Sequence, residues 1–413
     1  MAAQNIQRRL AANRPRILAL AFCQTFLILL PIIVPFFQSR GLTMQQVFLL
    51  QALYGLVVLV MEVPSGYLAD VWGRRPTLLF GAVCNALGHA ALLADDGPWG
   101  LIVFEVLLGI GGSMISGADL ALLYDSEKAL AATVSRHEQA VQQLFLARNL
   151  AEAVASVICV VVLAVYPIQV LIVLQVVVGA LPVVFAIGLH EPPVRRLSLD
   201  HGENFTRIFA HLWRSGDVLR QILLALAIWP LSTFYAVWLL QEHWQNQGID
   251  LMWFGLLWAG LMGLTVLAGR VALATERRLG TTGLLWLIGL APVGGFLGLA
   301  TGELMTGLVA ACLFFVARGL GLVVLRDAFN RRVPAEFRAT AHSLTNFGFR
   351  LGFAATAPVI GWVVDSQDVT MAYRALAAAA LLIFIWVIVP LVRTARRSQQ
   401  AAGTQVAEVV AEP

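Results

Sequence analysis

Long apolar runs, each about as long as a bilayer is thick, recur from Ile17 almost to the end of the chain, with short polar loops between them. Crossing ~30 Å of hydrocarbon takes roughly twenty helical residues. Segments of that length fall at 17–38, 47–69, 77–94, 99–123, 144–165, 168–189, 219–241, 251–273, 281–300, 304–325, 340–363 and 372–392. The runs are continuous and rich in helix formers, whereas barrel strands would be short and alternate between apolar and polar. The pattern predicts an all-α membrane protein with twelve transmembrane helices. The longest polar interruption, from about His190 to Asp217, opens on Glu191, Pro192 and Pro193 and falls near the middle of the chain. It predicts an N-terminal segment 1–16, a six-helix bundle over 17–189, a linker over 190–217, a second six-helix bundle over 218–393 and a tail over 394–413. Within the linker, Phe205 to Trp213 predicts a short interfacial helix. The small, polar tail predicts disorder.

The two halves repeat one another. Gln38, Gly41 and Thr43 line up with Gln245, Gly248 and Asp250, and Gly73 lines up with Gly280 at the same offset. In both halves the glycine stands two residues ahead of a helix-capping side chain, Thr43 or Asp250. A duplicated six-helix unit, hence two pseudo-symmetric bundles, accounts for the matches.

Composition and charge then set the solvent and the sidedness. Apolar residues make up 59% of the chain and charged residues 13%, against about a quarter charged in soluble domains. Mean hydropathy is +0.80, so the lipid bilayer is the partner of most of the surface. With the N-terminus inside, Arg8, Arg9, Arg14, Arg16, Arg74, Arg75, Lys128, Arg136, Arg195, Arg196, Arg207, Arg214, Arg277, Arg278, Arg331, Arg332, Arg338, Arg396 and Arg397 all fall on inner loops. Arg40 and Arg374 fall outside, among Asp95, Asp96, Glu242, Asp250, Glu303, Asp365 and Asp368. This is a positive-inside pattern with both termini cytoplasmic. The polar, basic stretch before Ile17 reads as the flank of a signal anchor retained in the mature protein. The net charge of +4 is spread over loops rather than gathered on one domain, which argues against nucleic acid as a partner. Cys23, Cys84, Cys159 and Cys312 sit singly in apolar runs without metal-type spacing. No phosphate-binding glycine loop and no set of nucleophile and base stand out, so neither ATP-driven transport nor an enzyme is expected, and no cofactor.

Between the second and third segments stand Gly66, Ala69, Asp70, Gly73, Arg74, Arg75 and Pro76. Their spacing resembles the signature loop of the major facilitator superfamily, at the expected place in a twelve-helix chain. Tyr124 with Asp125, Arg338 with Thr340, and Gly361 with Asp365 are further family-like pieces, so the resemblance covers essentially the whole chain. Gly66, without a side chain, lets a neighbouring helix approach closely. Asp70 can accept hydrogen bonds from a helix N-terminus; the resemblance implies the eleventh helix, beginning near Thr340. Arg74, one turn further on, can pair with Asp125. Such a cluster would latch the two halves on the cytoplasmic side. Arg75 has orientation by positive charge as an equal alternative. Arg277 stands where the repeat would place a second aspartate, so the latch is expected to be asymmetric.

Charges within spans are costly and mark functional candidates: Glu62, Glu105, Asp119, Arg148, Glu152, Arg318 and Arg350, with His89 as a weaker case. Glu105, Gly109, Gly112, Ser116 and Asp119 form one helical stripe that either lines a cavity or packs on another helix. Glu105 is the leading candidate for reversible protonation, with a structural role as its equal alternative; in many proton-coupled family members an arginine holds its place. Glu62 is assigned a structural or gating role, Asp119 a gating role, and Arg148 a local ion pair with Glu152. Arg318 can hold an anionic substrate or neutralise Glu105. Gln24 and Thr25 on the first helix and Trp229, Ser232, Thr233, Tyr235 and Trp238 on the seventh are cavity candidates suited to an amphipathic solute. The resemblance implies a monomeric secondary transporter in the bacterial inner membrane that moves a small organic solute by alternating access, as a proton-coupled drug exporter or as a symporter; a non-transport membrane sensor is the remaining alternative, and it would call for a large extra-membrane domain. Leu144 to Val165 lacks the glycine and proline of the family's antiporter motif.

Overall fold

A computed structural model describes residues 2–94, 97–130, 134–192, 217–333 and 338–397, and among them every regular element is helical. Asp95 and Asp96, Arg195, Arg196, Arg207 and Arg214, the expected interfacial helix at 205–213 and the tail beyond Arg397 lie outside the described residues. Eleven helical segments have the length and apolarity to cross a membrane. One of them, Leu251–Leu299, has 49 residues, over twice the length a bilayer requires, and it is interrupted at Gly280 (φ 71°, ψ 158°). It therefore holds the eighth and ninth spans, and the described residues contain twelve spans in all.

Backbone proximity groups the described residues into two compact units, within Met1–Leu199 with Ile249–Ala259, and within Asp200–Gly248 with Gly260–Pro413. The first encloses a core that includes Ile17, Leu20, Leu78, Ala82, Ile115, Leu122, Leu144, Ala186 and Leu189. The opening of the eighth span belongs to this unit, with Gly255 seated against the Ser156 carbonyl and Val160. The second unit closes around Leu219, Ile222, Trp229, Leu284, Ile288, Leu320, Val324, Phe329 and Ile388. Large apolar side chains also point outward, among them Val63 (80% exposed), Val165 (71%) and Trp386 (75%). Apolar exposure on this scale suits hydrocarbon rather than water.

The repeat seen in the sequence is present in the backbone. Gly41 and Gly248 have φ of 82° and 69°, and Gly73 and Gly280 have 105° and 71°. Each pair takes the left-handed conformation that glycine adopts without steric cost. Thr43 caps the second span, Met44–Val71, in a reciprocal capping box with Gln46. Asp250 Oδ1 accepts from the Met252 N–H at 3.0 Å in the equivalent place.

Three spans expected to be continuous are broken. The first runs as Asn13–Thr25, a 3-10 turn at Leu30–Ile32 and then Ile33–Ser39. The seventh runs as Asp217–Ile228, Leu231–Phe234 and Ala236–Asn246. The fourth stops at Ile115 and restarts at Ala118, with Gly117 at φ 86° between the two parts. Irregular backbone at membrane depth requires internal hydrogen-bond partners, and the first break has them. Gln175, 1% exposed on the sixth span, accepts from the Ile28 and Leu29 N–H groups (2.6 and 3.4 Å) and donates to the Phe26 carbonyl (3.3 Å). His89 Nε2 lies 3.1 Å from the same amide nitrogen, and His89 Nδ1 lies 2.8 Å from the Asn85 carbonyl.

Candidate functional site

The signature loop closes a network of hydrogen bonds inside the first unit. Gly73 turns the chain from the second span into the third, Arg74–Ala94, and so exposes unpaired N–H groups at that helix start. The Glu191 carboxylate fills this position from the end of the sixth span. Its Oε1 accepts from the Arg74 N–H and its Oε2 from the Arg75 N–H, both at 2.8 Å. Anionic oxygens on a helix N-terminus are favoured by the orphan donors and by the dipole. A Cβ at Gly73 would lie 3.1 Å from Glu191 Oε1, so the close approach adds to the positive φ in favouring glycine here. The Arg75 side chain donates to the Ile187 carbonyl at 3.1 Å and Arg16 donates to the Gly188 carbonyl, which satisfies the C-terminal end of the sixth helix.

Asn13, fully buried, extends the network: it donates to Ser126 Oγ (2.9 Å) and to the His190 carbonyl (2.7 Å), and accepts from the His190 N–H (2.9 Å). Partial burial, with the positive charges of Arg9, Arg16 and Arg75 nearby, lowers the His190 pKa below its ordinary value. Sequence reading missed the roles of Glu191 and Asn13. The available signal was a lone acid immediately after a span whose last turn lacks basic residues.

Arg74 Nε lies 3.0 Å from Asp125 Oδ2. This is the pair expected from the sequence; both residues belong to the first unit, and the pair ties the third span to the end of the fourth. Asp70 is half-buried and makes no hydrogen bond or ion pair among the described residues. The eleventh-span helix begins at Arg338 and residues 334–337 lie outside the described set. Gly66 does not carry the expected close packing within its unit: a Cβ there would meet no atom within 4 Å, because it lies on an exposed face of the second span. At Gly280, the repeat of Gly73, a Cβ would likewise meet nothing within 4 Å, and the carboxylate beside this turn is that of Glu276, whose Oε1 accepts from the Thr281 hydroxyl at 2.8 Å.

The polar stripe on the fourth span divides at the Gly117 break. Its upper part packs on the second span rather than facing outward: Gly109 abuts Val57 and the Tyr54 carbonyl, and Glu105, 4% exposed, accepts from Gln51 Nε2 at 2.7 Å. Asp119 falls beyond the break, in the first turn of Ala118–Ala129, 1% exposed. Its Oδ1 accepts from the Leu120 N–H (2.7 Å) and its Oδ2 pairs with the Arg148 guanidinium. Arg148 thus reaches across to another helix instead of pairing one turn along with Glu152, because the more deeply buried carboxylate has the greater need of a cation. Glu62 and Gln24 are half-buried, and among the described residues neither side chain has a partner.

In the second unit the seventh-span candidates separate. Trp229 belongs to the core rather than a cavity: it is 1% exposed, donates to the Ile288 carbonyl (3.1 Å) and packs on Gly321. Tyr235 hydroxyl pairs with Thr356 Oγ1 at 2.5 Å. Arg318, half-buried at the centre of the tenth span, Leu304–Asn330, holds its guanidinium 6.0 Å from the Phe234 ring centre. Arg350, also half-buried, is central in the eleventh, Arg338–Ser366.

Twelve apolar spans among the described residues, with a charged signature turn and single polar groups at membrane depth, define a polytopic membrane protein. The model of the Major Facilitator Superfamily matches residues 17–347, and the chain belongs to that family. An MFS-type transporter of Salmonella typhimurium is 27% identical over 377 residues, which is 86% of this chain and 92% of that one. The inner membrane transport protein YajR of Escherichia coli is 37% identical over 73 residues, 18% of this chain and 16% of YajR. A transporter of Buchnera aphidicola (strain Sg) is 31% identical over 114 residues, 26% of this chain and 29% of its own. The chain thus spans under a third of these last two relatives. Solved structures share the fold: a mutant of the nucleoside transporter NupG (TM-score 0.76, 12% identity, 92% of this chain and 99% of that one) and a D-xylose-proton symporter (0.67, 14%, 92% and 97%).

Proposed function

We propose that this chain is a proton-coupled secondary transporter of a small organic solute, working by alternating access, with Glu105 as the carboxyl that takes up and releases the proton. The setting of Glu105 carries the reading. It lies in the interior of a membrane span, it is 4% exposed, and its partner is a neutral amide rather than a cation. An ionisable group held at that depth without a counter-ion is a functional candidate by default, since its charge is costly there. Asp70, Arg74 and Asp125 form the cytoplasmic gate in this reading, with Asp70 meeting the start of the eleventh helix when the inner side is closed. Export is the direction implied by the resemblance to drug-efflux-type members. Import by symport is the second reading, favoured by the D-xylose-proton symporter among the structures that share the fold. The inner membrane, cytoplasmic termini and a monomeric state belong to the same proposal.

Vesicles test it. Everted, acid-interior membranes challenged in turn with ethidium, p-hydroxybenzoate, xylose and uridine should release protons on addition of a transported solute, relative to vesicles lacking the protein. Alkalinisation around resting right-side-out vesicles would mark symport instead. Glu105→Gln should abolish either signal, and coupling equal to that of the parent protein would remove Glu105 from the mechanism.

A further inference from the structure

At one end of the first unit the arginines outnumber the acids that answer them. Arg74 pairs with Asp125, and Arg14 lies 3.6 Å from Glu127. The Glu191 carboxylate is taken up by the backbone N–H groups of Arg74 and Arg75. Among the described residues this leaves the side chains of Arg8, Arg9, Arg16 and Arg75 with no carboxylate of their own. Arg75 and Arg16 donate to consecutive carbonyls, Ile187 and Gly188, at the end of the sixth span. Each guanidinium keeps further N–H groups beyond those bonds. Arg9 acts on the same place from the N-terminal helix, Ala2–Ala11, since the positive charges of Arg9, Arg16 and Arg75 all bear on His190. Guanidiniums gathered in this way repel one another, and an anion among them relieves the repulsion.

Apolar groups set the depth of this cluster. Leu10 is buried and anchors the N-terminal helix, whereas Ile6, one turn earlier, is exposed along with Arg8 and Arg9. Trp72 is exposed immediately before the Gly73 turn that carries Arg75. An exposed tryptophan, an exposed aliphatic side chain and arginines at the ends of spans are the composition of the layer where acyl chains meet headgroups.

We propose that this end of the first unit is a binding site for an anionic phospholipid, whose phosphodiester is held among Arg9, Arg16 and Arg75 while its acyl chains remain in the bilayer. The planar fork of arginine matches two phosphate oxygens at once. Inorganic phosphate offers similar oxygens, but it has no use for the exposed Ile6 and Trp72, which suit a lipid. A zwitterionic lipid brings an ammonium that the same arginines repel, so the site selects for net negative charge. The assignment stands apart from solute transport and makes no use of Glu105.

Native mass spectrometry of the purified full-length protein, titrated in detergent with dioleoylphosphatidylglycerol or dioleoylphosphatidylcholine, counts bound lipid and tests the site. The first phosphatidylglycerol should bind at least tenfold more tightly than phosphatidylcholine and should raise the unfolding temperature more. Arg9→Gln should cost several-fold in that affinity. Combining Arg9→Gln, Arg16→Gln and Arg75→Gln should bring phosphatidylglycerol down to the level of phosphatidylcholine. The set Arg393→Gln, Arg396→Gln and Arg397→Gln removes the same charge from the exposed end of the last span and should leave the preference intact. Should the first triple variant not fold, Arg9→Gln and the two lipids on the parent protein still decide, because the Arg9 side chain holds no hydrogen bond or ion pair among the described residues. Equal affinity for the two lipids, an unchanged preference in Arg9→Gln, or an equal loss in the control set would overturn the proposal. So would full displacement of phosphatidylglycerol by millimolar inorganic phosphate, which would mark a site for a free anion.

Discussion

At the scale of single residues, the clearest dependence of structure on chemistry is at Gly73. Any other residue would hold φ near 105° at a steric cost and would press a Cβ against the Glu191 carboxylate. Gly73→Ala should therefore destabilise the first unit by about 1–2 kcal/mol from the left-handed backbone alone, seen as a lower unfolding temperature in detergent. The Asp119–Arg148 pair makes a second case. With Asp119 1% exposed, Arg148→Met leaves a buried carboxylate without its cation and should cost about 3–5 kcal/mol. The double variant Asp119→Leu with Arg148→Met should recover much of that loss, because two well-packed apolar groups need no counter-charge. A double variant no more stable than Arg148→Met would show that the pair holds the fold by something other than charge compensation. The sequence named both residues of this pair but matched Arg148 to its nearest acid in the chain. Spacing along one helix cannot reveal a partner 29 positions away on another.

At the scale of elements, spans were legible and their breaks were not. Hydropathy registers how apolar a window is, and the window around Thr25 to Leu30 is as apolar as its flanks. The backbone there leaves the helix because Gln175 supplies replacement partners from the sixth span. Gln175→Leu should leave the Ile28 and Leu29 N–H groups and the Phe26 carbonyl unsatisfied, at about 1–3 kcal/mol for each buried group. Hydrogen–deuterium exchange should then rise at residues 26–30 ahead of the rest of the first span, and unaltered protection would mean that the break is held by packing alone. The stripe on the fourth span shows the same limit. Helical spacing grouped Glu105 with Asp119, yet the left-handed Gly117 re-aims the chain between them, so one carboxylate meets Gln51 and the other Arg148.

At the scale of the whole molecule, sidedness follows from where arginine can rest. In a background with Cys312, which is exposed on the tenth span, replaced by serine, Glu303→Cys should react with an impermeant maleimide in intact cells. Arg278→Cys should react only after permeabilisation. The opposite pattern would invert the topology. The fold class, the number of spans, the internal repeat and the family were all written in the sequence, because bilayer thickness fixes run length and positions needing positive φ select glycine at matching places in both halves. The meeting of Glu191 with the third helix, of Gln175 with the broken first span, and of Phe234 with Arg318 was decided only by the tertiary structure. Each joins groups far apart in the chain through the geometry of packed helices, and a one-dimensional pattern records which residues are buried without recording what they are buried against.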